Sequence, residues 1–474
     1  MNESAQRAEQ LRGILETALN DVPAYAAWRR FDPGGGVSVD LRLACLPALS
    51  KAQMRTCGYA GLLPPGRDAV AALTRGEIEL VHTNGTTGDR VANIWCQPWW
   101  DAAERASWEL HATAQRVATG AHLEAILTSP FCAGVPCEDG YLSRQQRTLG
   151  RFLYLNERSD PATWTEAHME RMILELNEFR PAVLEGNPSF LAWLARHAVH
   201  RGHTPAPPGL LVLTYENPSP LQRRQMAATF GCPLASSYGS TEAGYVFMEC
   251  EAGRLHQNTA SCHVDFLPFR PEHGGPLLGR ILVTTLDNPW RVLLRFDIGD
   301  VVRLADTPCP CGRRDGLTLA ASAGRCVNLT LTPAGNAVTE HQVDLALASI
   351  AGLAEYRLEQ TAAAVYRVQV MAEAKPPAAL AAAVEAALHG VYGGAASIAV
   401  LPVAAIHPDP PGKFRRTRAL FTIDPDRLLE PGSVPPVCVP NASAQGQYRL
   451  LPIQREIPRL SRGYVTTGTG STQR

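Results

Sequence analysis

Lysine is almost missing from this sequence. Of its 44 basic residues 41 are arginine, and lysine stands only at positions 51, 375 and 413. A compact ammonium is not interchangeable with a planar guanidinium, so a lysine here points to a need for an amine. Net charge is missing as well. The 45 acidic residues leave a formal −1 at pH 7, and no global field draws the chain onto nucleic acid or an anionic membrane. The opening residues, MNESAQRAEQLRGILETAL, lack the basic start and apolar core of a secretory signal, so a cytoplasmic location is expected. Long apolar runs are scarce too. The stretch 386–408 is uncharged and of membrane-spanning length, but Gly390, Gly393, Gly394 and Pro402 interrupt it. It reads as a helix end, a turn and a strand, and no membrane partner is expected.

The 474 residues, 45% hydrophobic and 19% charged, lie in the globular range and have room for a large domain and a smaller one. Twelve cysteines at irregular intervals do not make a disulfide framework in a chain this long. Most are expected to be reduced core residues, and a few to be metal ligands. There is no internal repeat.

Periodicity sets the order of elements. Leu11, Ile14, Leu15 and Leu19 place an amphipathic helix over 5–20. A strand over 76–83 runs into the turn-rich Thr83, Asn84, Gly85, Thr86, Thr87 and Gly88. Helical patterns at 101–118, 165–179, 188–200 and 219–230, with strand-length apolar runs at 182–185 and 210–214 among the later ones, argue for α/β layers. Strands at 262–266, 279–285, 292–296 and 301–304 form a β-rich subdomain. Beyond the small residues of 320–325 come a strand (328–332), a helix (339–350), strands (356–360, 365–372), a helix (377–388) and a strand (397–403), a small α+β domain. The expected division is 1–322, 323–430 and a Pro/Gly/Ser/Thr-rich tail over 431–474.

Four segments carry chemistry. The glycines and hydroxyls from Thr83 to Gly88 suit a phosphate cradle, although the Gly-Lys-Ser/Thr ending of a P-loop is absent. The run Ser236, Ser237, Tyr238, Gly239, Ser240, Thr241, Glu242 combines an aromatic, a hydroxyl and a carboxylate, fit for a base, a phosphate oxygen and Mg²⁺; a loop tip would look similar. Asp300 ends Arg-Phe-Asp-Ile-Gly-Asp after a strand, and Arg325 follows at the linker. Lys413 lies in Pro-Gly-Lys-Phe-Arg-Arg near the end of the small domain. Separately, Cys250, His256, Cys309 and Cys311 offer three thiolates and an imidazole for a closed tetrahedral zinc site. Cys262 and His263 compete as ligands, and ordinary core cysteines are the alternative reading.

Together and in this order, with Leu184-Glu185-Gly186-Asn187-Pro188-Ser189 and Leu213-Thr214-Tyr215-Glu216 between them, these segments resemble the acyl-adenylate-forming superfamily, in particular its phenylacetate-CoA ligase-like branch. The resemblance spans roughly residues 75–420. It implies an α/β protein with a large N-terminal adenylating domain, a β-rich subdomain and a small mobile C-terminal α+β domain. The implied reaction is attack of a small carboxylic acid, aromatic by preference, on the α-phosphate of ATP, with pyrophosphate released and the acyl group passed to a thiol. Thr83 to Gly88 would be the phosphate loop; Ser237, Tyr238 and Gly239 the adenine side; Thr241 the α-phosphate contact; and Glu242 the Mg²⁺ ligand. Asp300 would hold the ribose, Arg325 would sit near ribose or phosphate, Lys413 would bridge carboxylate and phosphate, and Tyr215, Glu216, Tyr238 and Gly239 would line the acid pocket. CoA is the first acceptor, a carrier protein or an amine the alternative, with a degenerate non-catalytic relative behind both; a homodimer is left open. Two departures stand out. Asp89 replaces a loop lysine, and Gly324-Arg325-Cys326-Val327-Asn328 lacks the hinge acid that relatives use in the second half-reaction.

Overall fold

A computed structural model describes residues 3–82, 91–130, 137, 140–373, 377–409 and 413–437. The strand-length apolar runs become strands buried along their whole length, Val183–Gly186 and Leu210–Leu213, as expected where helices cover both faces. Helix starts follow local chemistry. Asn187 accepts hydrogen bonds from the N–H groups of Ser189 and Phe190 ahead of Pro188–Arg201. Ser219 and Gln222 close a reciprocal capping box ahead of Pro220–Phe230.

These strands belong to one twelve-stranded sheet with two characters. From Phe152–Tyr154 through Glu124–Leu127, Val183–Gly186 and Leu210–Leu213 to Leu234–Ser240, neighbours run parallel. From Leu234–Ser240 onward they run antiparallel through Gly244–Glu249, Leu255–Gln257, Thr318–Arg325, Phe296–Leu304, Leu278–Thr285 and Cys262–Pro268. The helices Glu166–Phe179, Pro188–Arg201 and Pro220–Phe230 close one core against the parallel half. The amphipathic helix Glu3–Asp21 packs Leu11, Leu15 and Leu19 onto the antiparallel half.

The small domain is a four-stranded sheet, Leu353–Ala362, Val365–Ala372, Ser397–Val403 and Thr417–Ala419, with helices Glu340–Leu347 and Leu380–Tyr392. Leu221 of the large domain joins its core. The fold is therefore α/β with a large domain, a β-rich half and a small α+β domain. Among the described residues no helix is long and apolar enough to cross a membrane.

Several expected elements differ. The helix over 101–118 is two, Gln97–Trp108 and Ala112–Val117, because the His111 ring accepts from the N–H groups of Thr113 and Ala114 and starts a second helix. No strand forms over 292–295. There Tyr25 donates its hydroxyl proton to the Val292 carbonyl and accepts from Leu294 N–H, and Arg295 takes φ 50°. The next strand starts at Phe296 and runs unbroken to Leu304. The run around Tyr238 is a strand, Leu234–Ser240, not a loop tip. The linker glycine and arginine belong to the last large-sheet strand, which continues to Arg325. After the small domain the chain returns to the β-rich half. Arg270 N–H donates to Leu428 O, Glu430 N–H donates to Pro268 O, and Leu428 and Leu429 are buried beside Phe269 and Leu278.

Candidate active site

The carboxyl ends of the parallel strands gather the chemistry-bearing residues, as open α/β sheets do for their ligands. Leu213 pairs with Ser236, so Tyr215 and Tyr238, two residues further along each chain, come at one level. Tyr238 donates its hydroxyl proton to Asp300 Oδ2 at 2.5 Å. Burial, then the Asp300 charge, push the tyrosine well above its usual range. Asp300 stands opposite Arg325 in the ladder, and Arg325 closes the other side, Nε to Asp300 Oδ1 at 2.9 Å and Nη2 to Ile298 O at 3.1 Å. The neighbouring Asp297 serves the backbone, accepting from Gly299 N–H at 2.9 Å where φ is 82°. Tyr238, Asp300 and Arg325, far apart in sequence, thus form one cluster.

Glu242 is 2% exposed in the turn between Leu234–Ser240 and Gly244–Glu249. The ammonium of Lys51 lies 3.0 Å from its Oε1. Arg291 donates to the carbonyl oxygens of Glu242 and Thr241 from below the turn. Burial alone would push the Glu242 carboxyl up; Lys51 and then Arg291 outweigh it and hold it below the ordinary glutamate range. Lys51 is placed by its own helix start, where Ser50 and Gln53 form a capping box, and by Leu49, which bonds to Arg295 and Asp297 through the backbone. Ser237 Oγ is buried without a hydrogen-bond partner among the described residues.

Tyr215 sits at φ 71°, 40% exposed, with its hydroxyl donating to Glu185 Oε1 at 3.3 Å. Glu216, half-buried, accepts from Ser189 Oγ at 2.9 Å and from Phe414 N–H at 2.7 Å. The second bond crosses from the large domain to the small one. Lys413, next to Phe414, exchanges backbone hydrogen bonds with Asp409 at 2.8 and 3.1 Å and lies within electrostatic reach of Glu216. Thr83, Asn84, Gly85, Thr86, Thr87 and Gly88, with Asp89 and Lys375, lie outside the described residues. Lys51 and Arg291 were missed as site residues; the scarcity of lysine was the signal for the first.

Away from this edge, Cys250, His256, Cys309 and Cys311 converge, their ligand atoms all within 4.8 Å of one another. Cys250 and Cys309 sulfurs are 3.6 Å apart, and Cys311 Sγ is 3.3 Å from His256 Nε2. Edges of this length match a tetrahedron with Zn–S of about 2.3 Å. Thr318 Oγ1 lies 3.3 Å from the other ring nitrogen, the second contact that orients a ligating imidazole. Cys262 and His263 are elsewhere. The first is buried in the core beside Val246, and the second faces Asp265.

The fold is similar to that of solved CoA ligases. Over 88% of this chain and 89% of the other it matches 2-hydroxyisobutyryl-CoA ligase in its postadenylation state with 2-HIB-AMP, with TM-score 0.61 and 16% identity. The same ligase with 2-HIB-AMP and CoA in the thioesterification state matches with TM-score 0.50 and 18% identity, over 88% and 90%. In sequence, 154 residues are 32% identical to the phenylacetate-coenzyme A ligase of Thermus thermophilus, over 30% of this chain and 34% of that protein. The match therefore spans about a third of that relative's length. No family model matches the chain.

The Lys51–Glu242 pair gives a stability test. Leaving a buried carboxylate unpaired costs about 3–5 kcal/mol, but the Lys51 side chain is 31% exposed, so Lys51→Met is expected to cost about 1–2 kcal/mol. Urea unfolding of Lys51→Met, Glu242→Gln and the double variant should show the double costing less than the two singles added. Because the Glu242 carboxyl is held below its unfolded value, the stabilisation is present at neutral pH. It should fade as pH falls through the folded-state value, and Lys51→Met should flatten that dependence. Strictly additive costs would show that the pair is not coupled.

Proposed function

We propose that this chain is an ATP- and Mg²⁺-dependent ligase that adenylates a small carboxylic acid, aromatic acids first, and passes the acyl group to a thiol, CoA first. A carboxylate oxygen of the acid attacks the α-phosphorus of ATP, the bond to the β-phosphate oxygen breaks, and pyrophosphate leaves. A thiol sulfur then attacks the acyl carbon and AMP departs. The observation that carries this reading is the seating of the Lys413 segment on Glu216, beside the strand ends where Tyr238, Asp300 and Arg325 cluster.

In this reading Tyr238 and Gly239 flank the base and Ser237 offers a hydroxyl that has no partner among the described residues. Asp300 and Arg325 take the ribose, Thr241 the α-phosphate, and Thr83 to Gly88 the outer phosphates. Tyr215 and Glu216 border the acid. Glu242 would hold Mg²⁺, whose charge offsets that of the phosphates. The Glu242 carboxyl is held toward the charged form that a hard cation needs, and Mg²⁺ would share it with Lys51. Lys413 supplies a compact positive charge where negative charge gathers at phosphorus.

The test is ATP–pyrophosphate exchange over a panel of acids. At least one small aromatic acid should support exchange, and Lys413→Ala should lower it about 10²-fold or more with ATP affinity little changed. Exchange at the wild-type rate would remove Lys413 from the chemistry.

Zinc is proposed at Cys250, His256, Cys309 and Cys311 as a structural ion of the β-rich half, since all four positions are filled by protein. Elemental analysis of protein purified without added zinc should find about one ion per chain, and Cys309→Ser should lose it together with thermal stability. A metal-free protein of full stability would end the proposal.

One observation favours a slow second half-reaction. Val327 is 46% exposed where the family resemblance implies an acid, and residues 428–430 tie the far end of the small domain to the same β-rich half. In a single turnover, acyl-AMP is expected to form faster than added CoA discharges it. Discharge as fast as formation would show Val327 to be harmless.

A further inference from the structure

The stretch Lys413-Phe414-Arg415-Arg416 is gripped by the large domain one residue after its lysine. Glu216 Oε1 accepts Phe414 N–H at 2.7 Å, and Oε2 accepts the Ser189 hydroxyl at 2.9 Å. Burial pushes the Glu216 carboxyl above the ordinary glutamate range, and the Phe414 N–H, the Asn187 side chain and the Ser189 hydroxyl oppose that rise. Ser189 Oγ in turn accepts from Gln222 Nε2 at 3.2 Å, and that nitrogen reaches Glu355 Oε2 of the small domain at 2.8 Å. The Phe414 ring stands edge-on to Phe190, centroids 6.4 Å apart at 90°, and packs with Trp193, Ile406 and Ala354. Polar and apolar contacts thus fix the same residue from two directions.

We propose that Glu216 is the positioning residue for Lys413, holding the backbone beside the lysine so that the small domain presents its ammonium to the acid and the α-phosphate. The inference rests on the adenylating role proposed above. A lysine side chain has four rotatable bonds, and its backbone is the part that neighbours can set. Consecutive Cα atoms are about 3.8 Å apart, so an anchor on Phe414 fixes the root of Lys413. A carboxylate is suited to this. It is acceptor-only, its two oxygens serve a backbone N–H and a hydroxyl together, and a charged acceptor makes a bond roughly twice as strong as a neutral one. It also lies within reach of the ammonium it positions.

Two measurements on the full-length protein test it. The first is hydrogen exchange at the Phe414 amide without substrates. Glu216→Ala should raise its rate about tenfold or more, while the helix Pro188–Arg201 keeps its protection. The second is adenylate formation. Because a misplacement of about 1 Å can cost 10²-fold, Glu216→Ala should lower kcat by a factor on that order and leave the KM for ATP within about threefold. Glu216→Gln keeps the volume and one acceptor, and should fall between wild type and alanine in both readings; it carries the test if the alanine variant does not fold. Unchanged exchange at Phe414 overturns the proposal, and so does raised exchange with undiminished kcat. If wild-type protein activates no acid, the adenylating role fails, and the exchange measurement still decides whether Glu216 anchors the segment.

Discussion

One strand has a different kind of neighbour on each edge, and the site follows from that. Leu234–Ser240 runs parallel to Leu210–Leu213 and antiparallel to Gly244–Glu249. The parallel edge requires a helical crossover, which brings the carboxyl ends of successive strands to one level. The antiparallel edge requires a return within three residues, and its closeness shows in the glycines. A Cβ on Gly239 would overlap the Gly244 carbonyl, and Gly244, at φ 74°, lies under Trp99. Thr241 and Glu242 are the polar residues left in that return. Their carbonyls are held by Arg291 and the acid by Lys51, so the turn is fixed before any ligand arrives.

Acids at this edge are compensated in advance. Glu242 has Lys51, Asp300 has Arg325 and the Tyr238 hydroxyl, and Glu216 has an N–H and a hydroxyl. An uncompensated buried charge would cost several kcal/mol, a large part of the usual stability of a domain. The same reasoning applies to the small domain, where Arg416, 3% exposed, bonds to Glu340 and Asp344. Burial pushes Glu340 up to about 7, and Arg416 opposes that rise. This cluster fixes the chain on one side of Lys413, and the Asp409 bridge fixes it on the other. Phe414 and Arg416 thus face Glu216 and the Glu340–Asp344 pair, while Lys413 and Arg415 both meet Asp409.

Local patterns were legible in the sequence. Apolar runs became buried parallel strands, small-residue motifs fell at their carboxyl ends, and the Cys/His set converged, because backbone propensity and donor chemistry are written within a few residues. What was not legible depended on distant partners. The helix break at His111 needs a ring turned back onto its own backbone. The irregular 292–295 needs the Tyr25 hydroxyl from 267 residues away. Lys51 stood out only as one of three lysines until the fold set it against Glu242. Tyr238 sits in a strand although Gly239 and the serines suggest a turn, because two sheet neighbours supply ladder bonds that local propensity does not count.

The two domains are joined at more than the hinge. The chain leaves the large sheet at Arg325, builds the small domain, and comes back to the β-rich half, where Leu429 pairs with Phe269 and Asp426 meets Arg280. Both attachments are therefore to the β-rich half. Lys413, Glu355 and His407 instead meet the parallel half, through Glu216, Gln222 and Asp160. A body held at two points and latched elsewhere moves most easily about the line through the two points, and such a motion would break the latch while keeping the anchors. The latch combines a few hydrogen bonds, each worth about 1–3 kcal/mol when a charged group takes part, with the apolar contacts of Leu221 and Phe414. Poses that differ by so little exchange readily and respond to whatever ligand favours one of them. A turn of the small domain about that line would therefore have to part both the polar and the apolar contacts with the parallel half, while the return segment at residues 426–430 could stay in place.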